Sequence, residues 1–233
     1  MASKRKSEQD HIEATKAAVL AAALPHVLFD GWSDTTLNAA ISESGVQDDL
    51  ARLAFPRGAV DLALAYHFQG DAAMRAAMDA LDLSEMRYSD RVAKAISLRL
   101  ELADREAVRR GMAFFALPLY AADGTRALWH TADAIWESLG DTSRDYNWYT
   151  KRMTLSAVYS ACVLFWLGDE TEDGHATQEF IDRRIADVMR FEKTKAKFRA
   201  SPFGKGFSEM FGSILDGVKA PSHPDDLPGK IHK

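Results

Sequence analysis

The chain has 233 residues, of which 47% are hydrophobic and 27% are charged, and its formal net charge is −5. These fractions are those of an ordinary globular protein, so collagen-like, fibrous and wholly disordered classes are excluded. Because the chain is acidic, nucleic-acid binding would require a local basic patch strong enough to overcome the overall charge. The single cysteine, Cys162, excludes an intramolecular disulfide framework and a cysteine-rich metal cage, and it indicates a reducing compartment.

The N-terminus does not have the pattern of a secretory signal. Its first seven residues are basic, but Glu8, Gln9 and Asp10 follow them rather than an apolar stretch. The longest uncharged apolar run, 155–167, is shorter than the roughly 20 residues that a transmembrane helix needs. We therefore expect a cytoplasmic protein without a membrane span.

The first part of the chain predicts three helices. Asp10 is a favourable N-cap for a helix that ends at Gly31 and bends at an internal proline. Two shorter helices follow at 35–44 and 47–55, and Gly45 lies in the turn between them. Two helices joined by a short turn that contains glycine have the spacing of a helix-turn-helix.

The rest of the chain predicts longer helices, separated by glycine and proline. Pro56 is expected to begin a fourth helix, because proline is favoured at the first helical position. Helical periodicity then places further helices at 89–103, 106–117, 125–139, 147–167, 178–195 and 207–219. The last dozen residues have the composition of a loose tail. The predicted fold class is all-α.

The helix-turn-helix resembles the N-terminal domain of TetR-type repressors. The residues that carry this resemblance are Ala21–Leu24, Gly31–Ser33, Ile41–Val46, Leu53–Pro56 and Leu62–Leu64. In such repressors the second helix of the motif enters the major groove, and lysine and arginine neutralise phosphates. Here that helix begins with Asp48 and Asp49, and the only bases between residues 33 and 57 are Arg52 and Arg57. We therefore expect no nucleic-acid partner and a scaffold retained for packing and dimer geometry.

The stretch 145–152 is the most distinctive in the chain. It leads into a helix that is apolar on every side from Leu155 onward, as expected in the middle of a globule. Its first turn carries Lys151 and Arg152 beside Trp148, and these charges should emerge to solvent or to a partner. From the residues alone, Trp148 is either an exposed anchor or an ordinary core tryptophan.

This helix, the Gly31-Trp32 pair and the apolar C-terminal helix resemble a family of ubiquinone-biosynthesis accessory proteins, the ninth coenzyme Q protein. The resemblance extends over about residues 10 to 219. It implies a TetR-like fold, a homodimer, binding of lipids that include isoprenoid quinone precursors, and assistance to a di-iron hydroxylase of the quinone head group. The run 147–152 matches the family's partner-binding patch, which here comprises Trp148, Tyr149, Lys151 and Arg152.

Large apolar residues are dense between residues 112 and 166. In a helical bundle such a composition either packs solid or encloses an apolar tunnel, because ligand sites between helices are mostly apolar. The family resemblance favours a lipid cavity. The lining residues that we expect are Met112, Phe115, Trp129, Trp136, Tyr159 and Trp166.

The last predicted helix is amphipathic and follows a basic segment. Its apolar side chains fall within an arc of about 140° at helical pitch. Cations attracted to anionic head groups and apolar side chains in the acyl boundary are typical of an interfacial membrane helix. A helix packed on the bundle or on a dimer mate is the alternative, and the resemblance favours the membrane. The expected membrane-binding residues are Phe203, Phe207, Met210, Phe211, Ile214, Leu215, Lys195, Lys197, Arg199 and Lys205.

No constellation in the sequence indicates catalysis. His130, Asp133 and Glu137 share a helix face, which we interpret as hydrogen-bonded or salt-bridged rather than metal-ligating. The run 169–174 begins like a calcium loop, but Thr171 stands where an acidic or amide ligand is required. Nucleophile elbows and phosphate loops do not occur. We expect no metal, no cofactor and no enzymatic activity.

Together these patterns predict a lipid-binding accessory protein that binds isoprenoid quinone intermediates at the membrane and presents them to a partner hydroxylase. Its expected partners are the lipid, the hydroxylase, a second copy of the chain and an anionic membrane surface, and its expected location is the cytoplasmic side of the inner membrane. The alternatives are a TetR-type regulator with an apolar effector pocket and a structural dimer without ligand.

The same patterns divide the chain into five regions. The first is a flexible basic N-terminus, the second is like a helix-turn-helix, the third is a bundle for lipid binding and dimerisation, the fourth is an amphipathic helix and the fifth is a flexible tail. Their bounds are 1–9, 10–70, 71–196, 197–219 and 220–233.

Overall fold

The computed structural model describes residues 2–143 and 146–200. Over these residues the chain forms nine α-helices, one short 3-10 helix and no β-strand, which confirms the all-α prediction. The helices are α1 (Ala2–Asp30), α2 (Asp34–Ser44), α3 (Asp48–Ala54), α4 (Ala59–Asp79), α5 (Tyr88–Glu101), α6 (Arg105–Phe115), α7 (Ala121–Ser138), α8 (Tyr146–Leu167) and α9 (His175–Ala200), with the 3-10 helix at Glu172–Gly174.

Helices α1, α2 and α3 form the predicted helix-turn-helix region around a core of their own. The Ser33 hydroxyl accepts a hydrogen bond from the Thr36 backbone N–H at 3.1 Å and so caps the start of α2. Gly45 ends α2 in the left-handed region, with φ of 71°. Val19 and Val27 of α1 are fully buried in this core. The serine cap and the glycine turn therefore place the motif at the predicted residues.

Helix α1 ends where the sequence predicts but begins well before the predicted start at Asp10. It begins at Ala2, so residues 2–9, expected to be flexible, lie within the helix. Its segment Asp10–Asp30, with a mean hydropathy of 1.4, is the one described stretch long and apolar enough to cross a membrane, although we predicted none. The core helix of a globular protein satisfies the same criterion, and Val19, Ala23 and Val27 are buried in the helix-turn-helix core.

The start of α4 differs from the prediction, which placed it at Pro56. Residues 56–58 form a turn, and α4 begins at Ala59. The cause is distant in sequence, because Asp34 of α2 accepts a hydrogen bond from the Ala59 N–H at 3.0 Å and caps α4. Gly58 has φ of 67°, and a Cβ there would lie 2.5 Å from the Asp34 Oδ1. Only glycine allows this approach of the two helices.

The remaining helices form a second core, which α8 crosses. Leu155, Tyr159, Cys162 and Trp166 lie on one face of α8 and are buried there, as the periodicity predicts. The opposite face is not in the middle of the globule, because Leu164 is 60% exposed. The interpretation of α8 as a fully internal helix is therefore wrong.

Two further helices begin at least three residues earlier than predicted. Helix α7 begins at Ala121, because Gly124 packs inside it rather than preceding it, and a Cβ at Gly124 would lie 2.8 Å from the Cβ of Phe115. Helix α9 begins at His175, where the Asp169 carboxylate accepts hydrogen bonds from the backbone N–H groups of Thr171 at 2.9 Å and Thr177 at 2.8 Å. The aspartate that begins the incomplete calcium loop thus caps a helix.

Candidate functional site

An apolar cavity of about 290 Å³ lies between α4, α6, α7 and α8. Met112 and Phe115 of α6, Leu128 of α7 and Val163 of α8 form much of its wall. Trp32, in the turn between α1 and α2, closes one side, and its indole N–H donates a hydrogen bond to the Ala107 carbonyl at 3.0 Å. The helix-turn-helix region therefore contributes directly to the wall.

The mouth of the cavity is at the end of α6 and the start of α7. Ala116, Ala121 and Thr125 line it and are exposed. Leu164 of α8 also lines the mouth and is exposed, and Leu117 and Leu119 of the α6–α7 turn are exposed beside it in sequence. The mouth is therefore surrounded by apolar surface, which is where a hydrophobic molecule would enter.

The inner end of the cavity is polar, in contrast to its walls. Arg99 of α5 lines it and is 2% exposed. Its Nε donates to the Asp71 Oδ1 at 2.7 Å and its Nη2 donates to the His67 carbonyl at 3.0 Å. The Thr131 hydroxyl donates to the same Asp71 oxygen at 2.9 Å, and the His130 Nδ1 lies 2.7 Å from Asp71 Oδ2. Four groups from three helices thus meet behind the cavity.

The carboxyl group of Asp71 is ionised in this cluster. Burial raises its pKa, but the hydrogen bond with His130 and the positive charges around it, that of Arg99 included, outweigh burial, so its pKa lies below the ordinary value. Asp71 and Arg99 therefore form an internal ion pair of zero net charge.

His67 lies beside this ion pair and lines the cavity as a neutral ring. Burial lowers its pKa to about 4, despite the attraction of Asp71. Its Nε2 lies 2.9 Å from the Ala127 carbonyl and 2.7 Å from the Thr131 hydroxyl. Because a carbonyl only accepts, Nε2 carries the proton in the neutral ring.

Tyr159 of α8 brings the last polar group to the inner end. The residue is 4% exposed and lines the cavity, and its hydroxyl makes no hydrogen bond within the described part of the chain. Burial raises the pKa of Tyr159 to about 12, and the nearby Arg99 charge opposes this only in part. The hydroxyl therefore keeps its proton and is available as a donor within the cavity.

An aromatic patch, defined as Trp129, Trp148 and Tyr149, lies where the start of α8 packs on α7. The Trp148 ring centre lies 5.8 Å from that of Trp129 and 4.8 Å from that of Tyr149. All three side chains are half-buried. The Arg152 guanidinium lies 4.1 Å from the centre of the Trp148 ring, in cation–π geometry. The patch is thus preformed by contacts within the chain.

Comparison with known proteins shows the family of this chain. The COQ9 family model matches residues 121–192, which span α7, α8 and most of α9. A ubiquinone biosynthesis protein coq9 of Schizosaccharomyces pombe, named as mitochondrial, is 30% identical over 181 residues, which cover 76% of this chain and 71% of that protein. This chain belongs to the COQ9 family.

Two further COQ9 relatives agree with this assignment. The proteins from Dictyostelium discoideum and Homo sapiens, both named for ubiquinone biosynthesis and as mitochondrial, are 27% and 25% identical over 188 and 198 residues. The matches cover 77% and 81% of this chain, but 61% and 62% of those proteins. The chain therefore matches less than two thirds of the length of these two relatives.

A solved structure supports the fold. A TetR transcriptional regulator from Nitrosomonas europaea is similar with a TM-score of 0.58 at 18% identity, over 73% of this chain and 95% of that one. The predicted TetR-like fold is confirmed, and at this identity the likeness concerns the fold alone.

Three of the six cavity residues expected from the COQ9 resemblance line the cavity, namely Met112, Phe115 and Tyr159. The other three lie elsewhere. Trp129 belongs to the aromatic patch, and Trp166 is buried in the second core beneath the Arg105 guanidinium. Trp136 lines a separate cavity of about 200 Å³ between α5, α8 and α9. Periodicity identifies large buried side chains, but tertiary packing decides which of them face a void.

The COQ9 patch residues differ from one another in exposure. Arg152 is 2% exposed, and its guanidinium donates to Asp133 Oδ1 at 2.5 Å and to Asp141 Oδ2 at 3.2 Å. The Lys151 ammonium donates to Asp141 Oδ1 at 2.6 Å. The expectation that both charges emerge to solvent is therefore wrong for Arg152, which two carboxylates keep buried. Trp148 remains the candidate for contact with a partner.

The three polar residues on one face of α7 are hydrogen-bonded or ion-paired, as interpreted from the sequence. His130 contacts Asp71, Asp133 contacts Arg152, and Glu137 pairs with Arg75 of α4. Each of the three pairs with a different residue, and the partners lie on α4 and α8. They therefore hold helices together.

The predicted membrane-binding residues cannot be placed. Those from Phe203 onward, with Lys205, lie outside the described residues, and so do the side chains of Lys195, Lys197 and Arg199.

Proposed function

We propose that this chain acts in ubiquinone biosynthesis as a lipid-binding accessory protein. It holds an isoprenoid quinone intermediate in the cavity between α4, α6, α7 and α8 and presents it to a partner hydroxylase. The observation that carries the proposal is the apolar cavity, of which α7 and α8, matched by the COQ9 family model, form one side. The relatives that the chain matches are named for ubiquinone biosynthesis, and these names support the proposed pathway.

The physical reason for such a protein is the insolubility of the ligand. An isoprenoid tail leaves a bilayer only if other apolar surface replaces the acyl chains, because each exposed methylene costs about 0.8 kcal/mol. A volume of about 290 Å³ is at the lower end of ligand-site volumes. The cavity therefore holds a head group and the first part of a tail, and the remainder of the tail passes the apolar mouth at Leu164.

The aromatic patch is the proposed docking surface for the hydroxylase. Tryptophan and tyrosine are enriched among the residues that dominate binding energy at protein interfaces. Trp148 is half-buried, so part of its ring is accessible, while Arg152 fixes the ring from behind. Arg152 thus serves the interface as a positioning residue, and Trp148 as the contact.

Association with a membrane and with a second copy of the chain are part of the same proposal. The C-terminal segment provides apolar and basic residues for a membrane surface. Homodimerisation is implied by the family resemblance. Catalysis is assigned to the hydroxylase, and this chain makes and breaks no bond of the ligand.

Lipid extraction from the purified full-length protein tests the proposal. We expect mass spectrometry to identify a co-purifying isoprenoid lipid at near-stoichiometric amount. Ala116 is exposed at the cavity mouth, so Ala116→Trp blocks entry without replacing a core residue, and this variant should carry little lipid. Equal lipid content in the two proteins would place the lipid outside this cavity and contradict the proposal.

A transcriptional regulator with an apolar effector pocket is the second candidate, favoured only by the TetR fold. The helix-turn-helix surface argues against it. Arg52 pairs with Asp48 at 2.8 Å, and Arg57 pairs with Asp61 and Asp123 at 2.7 and 2.9 Å. Both arginines of the motif are therefore neutralised by carboxylates of the same chain, and neither is left to bind a phosphate.

A further inference from the structure

We propose that Tyr159, Arg99 and His67 form a head-group subsite at the inner end of the cavity, which binds a neutral aromatic head through a carbonyl oxygen and excludes anionic heads. The inference rests on the proposed function, because it specifies the chemistry of the lipid that the cavity holds. Three observations support it: an unpaired donor that is open to the cavity, a fixed guanidinium and a local charge of zero.

The unpaired donor is the Tyr159 hydroxyl. A hydroxyl that makes no hydrogen bond to the protein and faces a cavity is free to bond a ligand that enters the cavity. Tyr159 lines the cavity, its hydroxyl makes no hydrogen bond within the described chain, and its oxygen is not among the described atoms that are both fully buried and unpaired, so it is open to the cavity. A bound acceptor oxygen would satisfy the hydroxyl. Because the hydroxyl keeps its proton, it donates, so the complementary group on the ligand is an acceptor.

The fixed guanidinium is that of Arg99. Asp71 and the His67 carbonyl each hold one of its nitrogens, and these contacts orient its plane at the cavity end. Gly70 of α4 leaves the space for it, because a Cβ there would lie 2.6 Å from the Arg99 Cζ. Arg99 is therefore seated against the backbone of α4 before any ligand arrives, as a preorganised binding group requires.

The local charge decides the class of head group. The charge of Arg99 is balanced by Asp71, and His67 is neutral at physiological pH. Tyr66, which also lines the cavity, accepts a hydrogen bond from the Asp104 N–H and keeps its proton because burial raises its pKa. An anionic head would meet a balanced ion pair and lose its hydration without a free countercharge. A neutral carbonyl group loses less hydration free energy on entering the cavity, and its oxygen can accept a hydrogen bond from the Tyr159 hydroxyl.

The experiment compares three small aromatic compounds that share a benzene ring with one prenyl tail. The first carries a methyl ketone opposite the tail, the second an isopropyl group of similar shape, and the third a carboxylate. Ligand-observed NMR titration of the full-length protein gives a Kd for each. We expect the ketone to bind about three- to tenfold more tightly than the isopropyl compound, and the carboxylate to bind most weakly.

Tyr159→Phe removes only the hydroxyl and so isolates its contribution. We expect this variant to lose the preference for the ketone and to bind the isopropyl compound as the wild type does. Because the hydroxyl makes no hydrogen bond within the described chain, the unfolding midpoint of the free variant should be equal to or above that of the wild type. A lower midpoint would mean that the hydroxyl serves the fold, which would overturn the proposal.

The remaining outcomes separate the two proposals. If no compound binds the wild type, or if Ala116→Trp binds all of them as well as the wild type does, the lipid cavity itself is wrong. If all three bind equally and Tyr159→Phe changes none of them, the cavity stands and the head-group subsite is wrong. If the carboxylate binds most tightly, the subsite selects anions and the assignment to neutral heads is wrong.

Discussion

Buried charges at the residue scale are each held by more than one partner. Asp71 contacts Arg99, Thr131 and His130, and Arg152 contacts two carboxylates. Removing one member of such a group leaves another charge buried without compensation, which destabilises a protein far more than loss of an exposed pair. The energetics of this chain are therefore most sensitive at these clusters.

Gly70→Ala tests how closely Arg99 is seated. Alanine usually stabilises a helix relative to glycine by about 1 kcal/mol, but here the added Cβ would lie 2.6 Å from the Arg99 Cζ. We expect the free energy of unfolding to fall by about 1–3 kcal/mol, as for other overpacked sites. Urea denaturation measures it. Gly111→Ala is the matched control, because its Cβ would meet Trp32 Nε1 at 3.5 Å, an ordinary contact, and should not destabilise.

His67 makes stability depend on pH. Its pKa is about 4 in the folded chain and about 6.5 when unfolded, because burial disfavours the charged ring. The unfolded chain therefore binds more protons between these values, so stability is complete above pH 6.5 and is lost as the pH falls towards 4. The groups that face the ring are Asp71, Arg99 and His130.

The expected loss between pH 7 and pH 4 is on the order of 2–3 kcal/mol from His67 alone. Urea unfolding at half-unit pH steps measures it. His67→Gln keeps an N–H that can reach the Ala127 carbonyl but does not titrate, so its curve should be flatter than that of the wild type. Parallel curves for the two proteins would show that His67 does not carry the effect.

At the scale of elements, local signals predict where helices lie, and distant contacts decide where they begin. Helices α2, α3 and α8 fall within one residue of their predicted bounds, because caps and periodicity are local. Helix α4 begins late since Asp34 caps it from 25 residues away. Helix α7 begins early because Gly124 accommodates Phe115, so the glycine is a packing residue rather than a helix breaker.

Arg152 joins α7 to α8, and its loss should loosen the aromatic patch. Arg152→Gln leaves Asp141, whose side chain is 3% exposed, with one cationic partner fewer. We expect a loss of about 2–4 kcal/mol in the free energy of unfolding and weaker binding of the hydroxylase. Lys151→Gln is the control, and should cost less because that side chain is 36% exposed.

Urea unfolding and a pull-down with the hydroxylase measure the two effects of Arg152→Gln. Trp148→Ala in the same assays should reduce binding more than stability, which would distinguish a contact residue from a positioning residue. If Arg152→Gln binds the hydroxylase normally while being clearly destabilised, Arg152 serves only the fold.

At the scale of the whole molecule, the sequence predicts the architecture, and half of the residues that it predicts to line the cavity do so. The all-α class, the TetR-like fold and the positions of Met112, Phe115 and Tyr159 follow from periodicity and resemblance. Arg99, Asp71 and His67 were missed, because charged and polar residues scattered over two helices resemble solvated surface in a sequence. The spacing of His67 and Asp71 by four residues on α4 was the one available signal.

The distribution of charge over the molecule predicts no specific DNA binding. Fluorescence anisotropy with labelled duplexes of varied sequence should give at most weak binding at 150 mM salt and no preference for a sequence. As a control, Asp48→Lys with Asp49→Lys adds cations to the helix that would enter the groove and should increase non-specific, salt-dependent binding. Tight, sequence-specific binding by the wild type would instead support the regulator.

Trp32 shows how the N-terminal helices contribute to the cavity. Its indole lies in the wall of the cavity and is bonded to α6, while the residues around it belong to the core of α1, α2 and α3. A truncated chain that begins at α4 would lose this wall, and water would reach the apolar interior. The three N-terminal helices, which bind DNA in other proteins of this fold, therefore close one side of the cavity here. We expect their surface to tolerate substitution as long as Trp32 stays in place.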